Sequence, residues 1–204
     1  MALGINTSNS TFLDFIKYDA RAGKVFRVDS IQTPNGWDKD SIDITAQFQA
    51  AMDLGNAEVG WIDFSLGAPD YHMVQIGDNL PEKPSEEHKL GFRINLILGD
   101  AVRGDDESDS VRQWSSNAKT VIGAVDALHT AYEVAIRADD SLAVKVPVVK
   151  LVRVEGIKSR NGTNYAPVLE IVGWVETPAA FDTALENQAV QAPADNLSED
   201  TLPF

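Results

Sequence analysis

The segment KLGFRINLIL (89–98) sets Leu90, Phe92, Ile94, Leu96 and Leu98 on one side of an extended chain and Lys89, Arg93 and Asn95 on the other. That is the pattern of a strand with one buried and one solvated face. Three earlier segments, KVFRVDSI (24–31), SIDITAQF (41–48) and EVGWIDFSL (58–66), share its β-branched and aromatic richness, and Gly, Pro and Asn clusters separate them. The first half of the chain is expected to be short strands, with the basic side of 89–98 facing water.

The period changes after GDDESDS (104–110). Val111, Trp114, Ala118, Val121, Val125, Leu128, Tyr132 and Ala135 recur at spacings of three and four, which predicts a helix running to Arg137 and packing on the sheet. Asp105, Asp106, Glu107 and Asp109 would complement the positive end of its dipole, with Ser110 and Gln113 as a capping box. The Ser115-Ser116-Asn117 stretch is where the helix start could be delayed.

AVKVPVVKLVRVEGIK and YAPVLEIVGWVET flank SRNGTN. Asn161-Gly162 signals a type I′ hairpin turn, whose two central residues need positive φ. A turn centred there pairs Lys158 with Tyr165, Val154 with Leu169, Arg153 with Glu170 and Val149 with Trp174. Arms of about 12 residues span roughly 40 Å at about 3.3 Å per residue, so the tip is expected to project. Pro147 and Pro167 fit edge or bulged positions. From 178 onward an Ala-, Gln- and acid-rich stretch is expected to be a flexible linker. The chain thus divides into a β-rich body, 1–177, and an acidic tail, 178–204.

With 204 residues and 44% apolar content the body can bury its own core. The absence of cysteine excludes disulfides and thiolate chemistry and fits a reducing compartment, so a cytoplasmic protein is expected. No basic and apolar leader and no membrane-length apolar run is seen, so no membrane association is expected. There is no phosphate loop, nucleophile elbow or HExxH motif. His72, His88 and His129 are scattered, and His88 reads as a loop residue rather than a metal ligand. DDESD lacks the spacing of a calcium loop. Neither enzymatic activity nor a metal or cofactor is expected. The net charge of −14 disfavours indiscriminate phosphate binding, yet all 17 Lys and Arg residues lie between Lys17 and Arg160, so an anion-binding surface would be a local face.

The candidates for that face pair cations with aromatics: Arg27 beside Phe26, Arg93 beside Phe92, Lys150 and Arg153 on the first hairpin arm, Lys158, Arg160 and Tyr165 at its tip, and Trp174, with Trp61 further off. Alternation sends Phe26 and Phe92 to the core. Single strands of nucleic acid are held by such sites, a basic groove plus rings worth about 1–3 kcal/mol per stacked base. The element inventory fits a mainly β protein: an OB-like five-stranded barrel with one long helix, a protruding β-hairpin and a disordered acidic tail.

The last residues, EDTLPF, resemble the C-terminal tip of bacterial and phage single-stranded DNA-binding proteins, an acidic run closing on Ile or Leu, Pro and Phe. That family joins an OB fold to an unstructured linker and uses the tip to recruit replication, recombination and repair proteins. The resemblance implies such partners here, through Asp200, Leu202, Pro203 and Phe204. Thr201 departs from it, since an acid is usual there, and the long helix and hairpin suit a phage-type version. The expected function is sequence-tolerant binding of single-stranded DNA; a homo-oligomer is compatible with it. The rival is a phage structural or assembly protein whose β-rich body forms an interface and whose tail only solubilises.

Overall fold

A computed structural model of the protein describes residues 14–34, 36–65, 68–160 and 162–191. It is mainly β, with strands β1 (Phe15–Asp19), β2 (Lys24–Thr33), β3 (Gly36–Asp43), β4 (Gln49–Met52), β5 (Glu58–Asp63), β6 (Asp70–Gln75), β7 (Lys89–Leu98), β8 (Val111–Ser116), β9 (Lys145–Ser159) and β10 (Gly162–Glu176). Two helices are present, α1 (Lys119–Ala138) and α2 (Ala180–Gln191). The strands form one mixed sheet in the order β10-β9-β4-β7-β8-β1-β2-β3, with β5 branching from β7 and β6 pairing on β5. The sheet is not closed. β1 and β8 run parallel.

One core explains the curl of this sheet. Ile16, Val25, Ala50, Met52, Ile94, Leu96, Trp114, Val149 and Leu151, drawn from β1, β2, β4, β7, β8 and β9, meet in a single cluster, onto which α1 lays Val121, Val125, Leu128 and Tyr132. Phe48 and Phe92 meet the Trp114 ring edge-on at centroid distances of 6.3 and 5.4 Å, the quadrupole-favoured geometry. The helical stripe from Val121 onward therefore packs on the sheet as expected.

The other face of the sheet is covered too. Ile97 of β7 and Val146 of β9 pack with Phe181 of α2, where a flexible linker was expected. Burying Phe181 is worth about 1.5–3 kcal/mol, enough to order a short alanine-rich helix whose own amphipathic pattern is weak. Asn95 and Ile97 are buried beside Leu96 and Leu98, so 89–98 is not wet on one side.

Three further expectations change. Residues 111–116 are a strand, and the helix begins at Lys119, because Arg112 and Trp114 occupy buried sites in the sheet. The preceding acids do not cap the helix; Asp106 accepts hydrogen bonds from Arg112. Segment 41–48 divides between the end of β3 and a 3₁₀ turn, where Thr45 Oγ1 accepts from the Val25 N–H (2.9 Å).

The long hairpin forms with 15-residue arms, but Ser159 pairs with Gly162, so Lys158 lies opposite Thr163 and Tyr165 opposite Gly156. The expected pairs of Lys158, Val154 and Arg153 are displaced by two, which preserves side-chain faces, whereas Val149, between the bulges, pairs with Ile171, three residues from the expected Trp174. Val152 of β9 and Val172 of β10 are left out of the ladder as two bulges, the second cancelling the register change made by the first.

Candidate nucleic-acid interface

Three of the expected contact residues are structural. Arg27 is only 9% exposed; its Nε donates to Asp29 Oδ2 (3.0 Å) and its Nη1 to the Val102 carbonyl (2.9 Å). Arg93 is paired with Glu58 and lies 5.1 Å from the Tyr71 ring centre. Burial lifts the Tyr71 hydroxyl above the usual tyrosine range, against the opposing effect of Ser115 and Arg93. Trp174 stacks on Tyr132 of α1, centroids 5.8 Å apart and planes 27° off parallel. These side chains make contacts within the fold, with Arg27 buried and Arg93 and Trp174 partly buried. Period-two counting placed the arginines on a solvated face; the Val102–Gly104 loop meets Arg27 there, and Glu58 and Tyr71 meet Arg93. Phe92 is buried and Phe26 partly so, while Trp61 donates to the Pro81 carbonyl (2.9 Å) with Lys83 over its ring.

The other candidates lie on the hairpin. Lys150, Arg153, Lys158 and Arg160 are exposed, with Arg153 tied to Glu155 (2.8 Å) on its own strand. Beyond Glu155, the described distal arm carries Lys158 and Arg160 and no acid up to Ala166. Tyr165 is half-buried rather than projecting, because its N–H donates to the Ala20 carbonyl (2.6 Å) of the β1–β2 turn.

That turn brings in a cation that strand alternation overlooked. Asp19 Oδ1 accepts from the backbone N–H groups of Ala22 (3.1 Å) and Arg21 (2.8 Å), which hold its carboxyl below the usual range and fold the turn. Gly23 completes it at φ 67°, and a Cβ there would come within 2.8 Å of Val154 Cγ1 and 3.1 Å of Tyr165. Only glycine allows this approach. Exposed Arg21 is thereby set beside the arm bearing Tyr165, Lys158 and Arg160.

The chain has no significant match among family models, curated proteins or solved structures.

A second missed residue is Trp37, 75% exposed near the end of the β2–β3 ribbon. It faces Gln32 across the ladder, and Lys39, on the same strand, reaches over the Phe15 ring (4.8 Å). The signal available in sequence was a tryptophan between glycine and three charged residues, with no apolar neighbour to bury it. The proposed partner-binding residues, Asp200, Leu202, Pro203 and Phe204, lie outside the described residues. No described helix is long and apolar enough to cross a membrane.

Proposed function

We propose that the protein binds single-stranded DNA without strong sequence preference, through the distal β9–β10 arm and the adjoining β1–β2 turn, and recruits replication, recombination or repair proteins through its acidic Leu-Pro-Phe segment. The observation that carries this reading is the pair of exposed cations Lys158 and Arg160 on a distal arm without acids, with exposed Arg21 in the β1–β2 turn that Tyr165 ties to that hairpin. In an otherwise acidic protein, a local cationic surface concentrates phosphate where it is wanted and repels it elsewhere. In this reading the strands curled round Trp114 act as an OB-like barrel, supported by their shared core and by the tie from Tyr165 back to Ala20.

The test is titration with oligo-dT, followed by tryptophan fluorescence at two salt concentrations. Three cations predict a logarithmic salt slope of about −2, or roughly 20-fold weaker binding at 200 mM than at 50 mM salt. Replacing Lys158 and Arg160 together by glutamine should reduce the slope to about −0.7. Absence of saturable quenching at 50 mM salt would sink the reading. A second reading, a structural or assembly subunit, is favoured by exposed Val152, Ile157, Val172 and Val175 on the hairpin; concentration-dependent sedimentation without DNA binding would select it.

A further inference from the structure

Asp70 and His72 are two apart on β6, so both side chains leave the same face of that strand. β5 lies between β6 and β7 and sets the level of the third partner. Asp70 pairs with Asp63, and Ile62 pairs with Lys89, so His88, one residue before β7, stands level with Asp63 and Asp70. The result is a compact group: ligand atoms of Asp70, His72 and His88 all lie within 4.8 Å of one another. Among the described residues no other such group of His, Asp or Glu is present.

Ser85 Oγ lies within hydrogen-bond distance of both Glu87 Oε2 (3.1 Å) and His88 Nδ1 (2.9 Å), so the ring is held through Nδ1 and Nε2 is the atom left facing the cluster. That atom is buried, in a side chain only 6% exposed, and has no hydrogen-bond partner. It points toward Asp70 Oδ2 at 3.3 Å, while His72 Nε2 lies 3.6 Å from Asp70 Oδ1. A buried imidazole nitrogen left without a partner is costly, and a cation held between it and the Asp70 carboxylate would satisfy both.

We propose that Asp70, His72 and His88 bind a divalent transition-metal ion, Zn²⁺ by the character of its donors. Two imidazoles and one carboxylate suit zinc, whereas Mg²⁺ and Ca²⁺ favour all-oxygen sets. A tetrahedral zinc with bonds of about 2.0–2.1 Å has ligand–ligand edges of roughly 3.3 Å, the separation of His88 Nε2 from Asp70 Oδ2, while His72 stands 3.6 Å from the other carboxylate oxygen. Ser85 is the outer partner that orients His88, the usual companion of a metal-bound imidazole. Asp63 belongs to the surrounding shell: its carboxylate accepts from the Ser65 N–H (2.7 Å). Three protein ligands leave a fourth position for water or an anion, and half-exposed Asp70 and partly exposed His72 open the site to solvent. Bound metal would pin edge strand β6 to the segment entering β7. This proposal is independent of DNA binding.

The experiment is isothermal titration of ZnCl₂ into the full, untagged, chelator-treated chain, with Co²⁺ absorption reporting coordination. One saturating equivalent, a tetrahedral Co²⁺ spectrum, a raised Tm and no response to MgCl₂ are expected. Asp70→Asn and His72→Gln should each weaken binding at least tenfold, Ser85→Ala by about tenfold, and His129→Gln not at all. His88 is buried, so the test does not depend on its replacement; Asp70→Asn alters a solvent-accessible carboxylate. Failure to bind one equivalent, or equal binding by Asp70→Asn and His72→Gln, overturns the assignment.

Discussion

Replacing Arg112 by methionine removes the most buried charge among the described residues, at 1% exposure, while keeping most of its apolar stem. The guanidinium donates from Nε and Nη2 to the two oxygens of Asp106 (2.7 and 2.9 Å), from Nη2 to Asp29 Oδ1 (2.6 Å) and from Nη1 to the Val28 carbonyl (3.1 Å). Removing one partner of a buried pair costs about 3–5 kcal/mol, because the other charge is stranded. Asp29 and Asp106 keep 21% and 23% side-chain exposure, so water can partly take the place of the arginine. The expected cost is therefore near the lower end, about 3 kcal/mol, well above the roughly 1 kcal/mol ceiling of a surface pair. Asp106→Asn leaves a neutral acceptor and should cost about 1 kcal/mol. Urea unfolding followed by tryptophan fluorescence measures both, with Trp114 on the same strand reporting the core. With m near 2–3 kcal/mol/M, the Arg112→Met midpoint should fall by about 1–1.5 M. The deficit should persist in about 0.5 M NaCl, since buried pairs are little screened. A cost below about 1 kcal/mol, or a deficit that salt removes, would refute a structural role for the cluster.

Gly104→Ala should lose about 1–3 kcal/mol in the same assay, since Gly104 sits at φ 67° and a Cβ there would come within 2.1 Å of the pinned Arg27 Nη1. Asp43 is held down to about 2 from 3.8 by Lys24 and then Thr45, so its contribution is complete above pH 4 and lost as pH falls toward 2; thermal unfolding of wild type and Lys24→Gln should converge over that window. Asp53 behaves oppositely: burial raises its pKa, against hydrogen bonds from Asn56, so its charge costs stability at neutral pH and the cost is relieved on acidification. Asp53→Asn should raise Tm at pH 7, and that gain should shrink at low pH. Trp37→Ala should change stability by less than about 0.5 kcal/mol in the urea assay, since its ring is exposed. If the acids of residues 195–204 compete with DNA for the basic surface, removing them should leave DNA binding unchanged or tighter while abolishing partner capture; weaker DNA binding would refute that competition.

Where one apolar face met one strong local signal, sequence was sufficient. Residues 89–98 form β7 with Phe92, Ile94, Leu96 and Leu98 buried as expected and Leu90 exposed, and the Asn-Gly region closes the long hairpin, because alternation and turn chemistry are local properties. The segment 111–118 misled because Val111, Trp114 and Ala118 continue the helical spacing of three and four, whereas the buried strand positions are Arg112 and Trp114, one of them charged. Its strand state is decided by distant partners, β7 and β1. The arginine candidates show a related limit: alternation tells which residues share a face, but not that the Val102 loop meets Arg27 or that Glu58 and Tyr71 meet Arg93. The distal cations needed only an exposed arm and remained exposed; Arg21 and the histidine group required two separated segments to meet, which one-dimensional spacing does not encode.

The β2–β3 ribbon has a consequence of its own. β1 accompanies β2 only as far as Val28, so Asp29–Thr33 are laddered to β3 alone, and every residue of β3 is exposed. A two-stranded ribbon with no apolar face to bury is barely stable by itself. It should open as a separate unit, its amides exchanging with solvent long before those of β7, which wait for global unfolding. Limited proteolysis should therefore cut this flap first and leave a nicked but still assembled core.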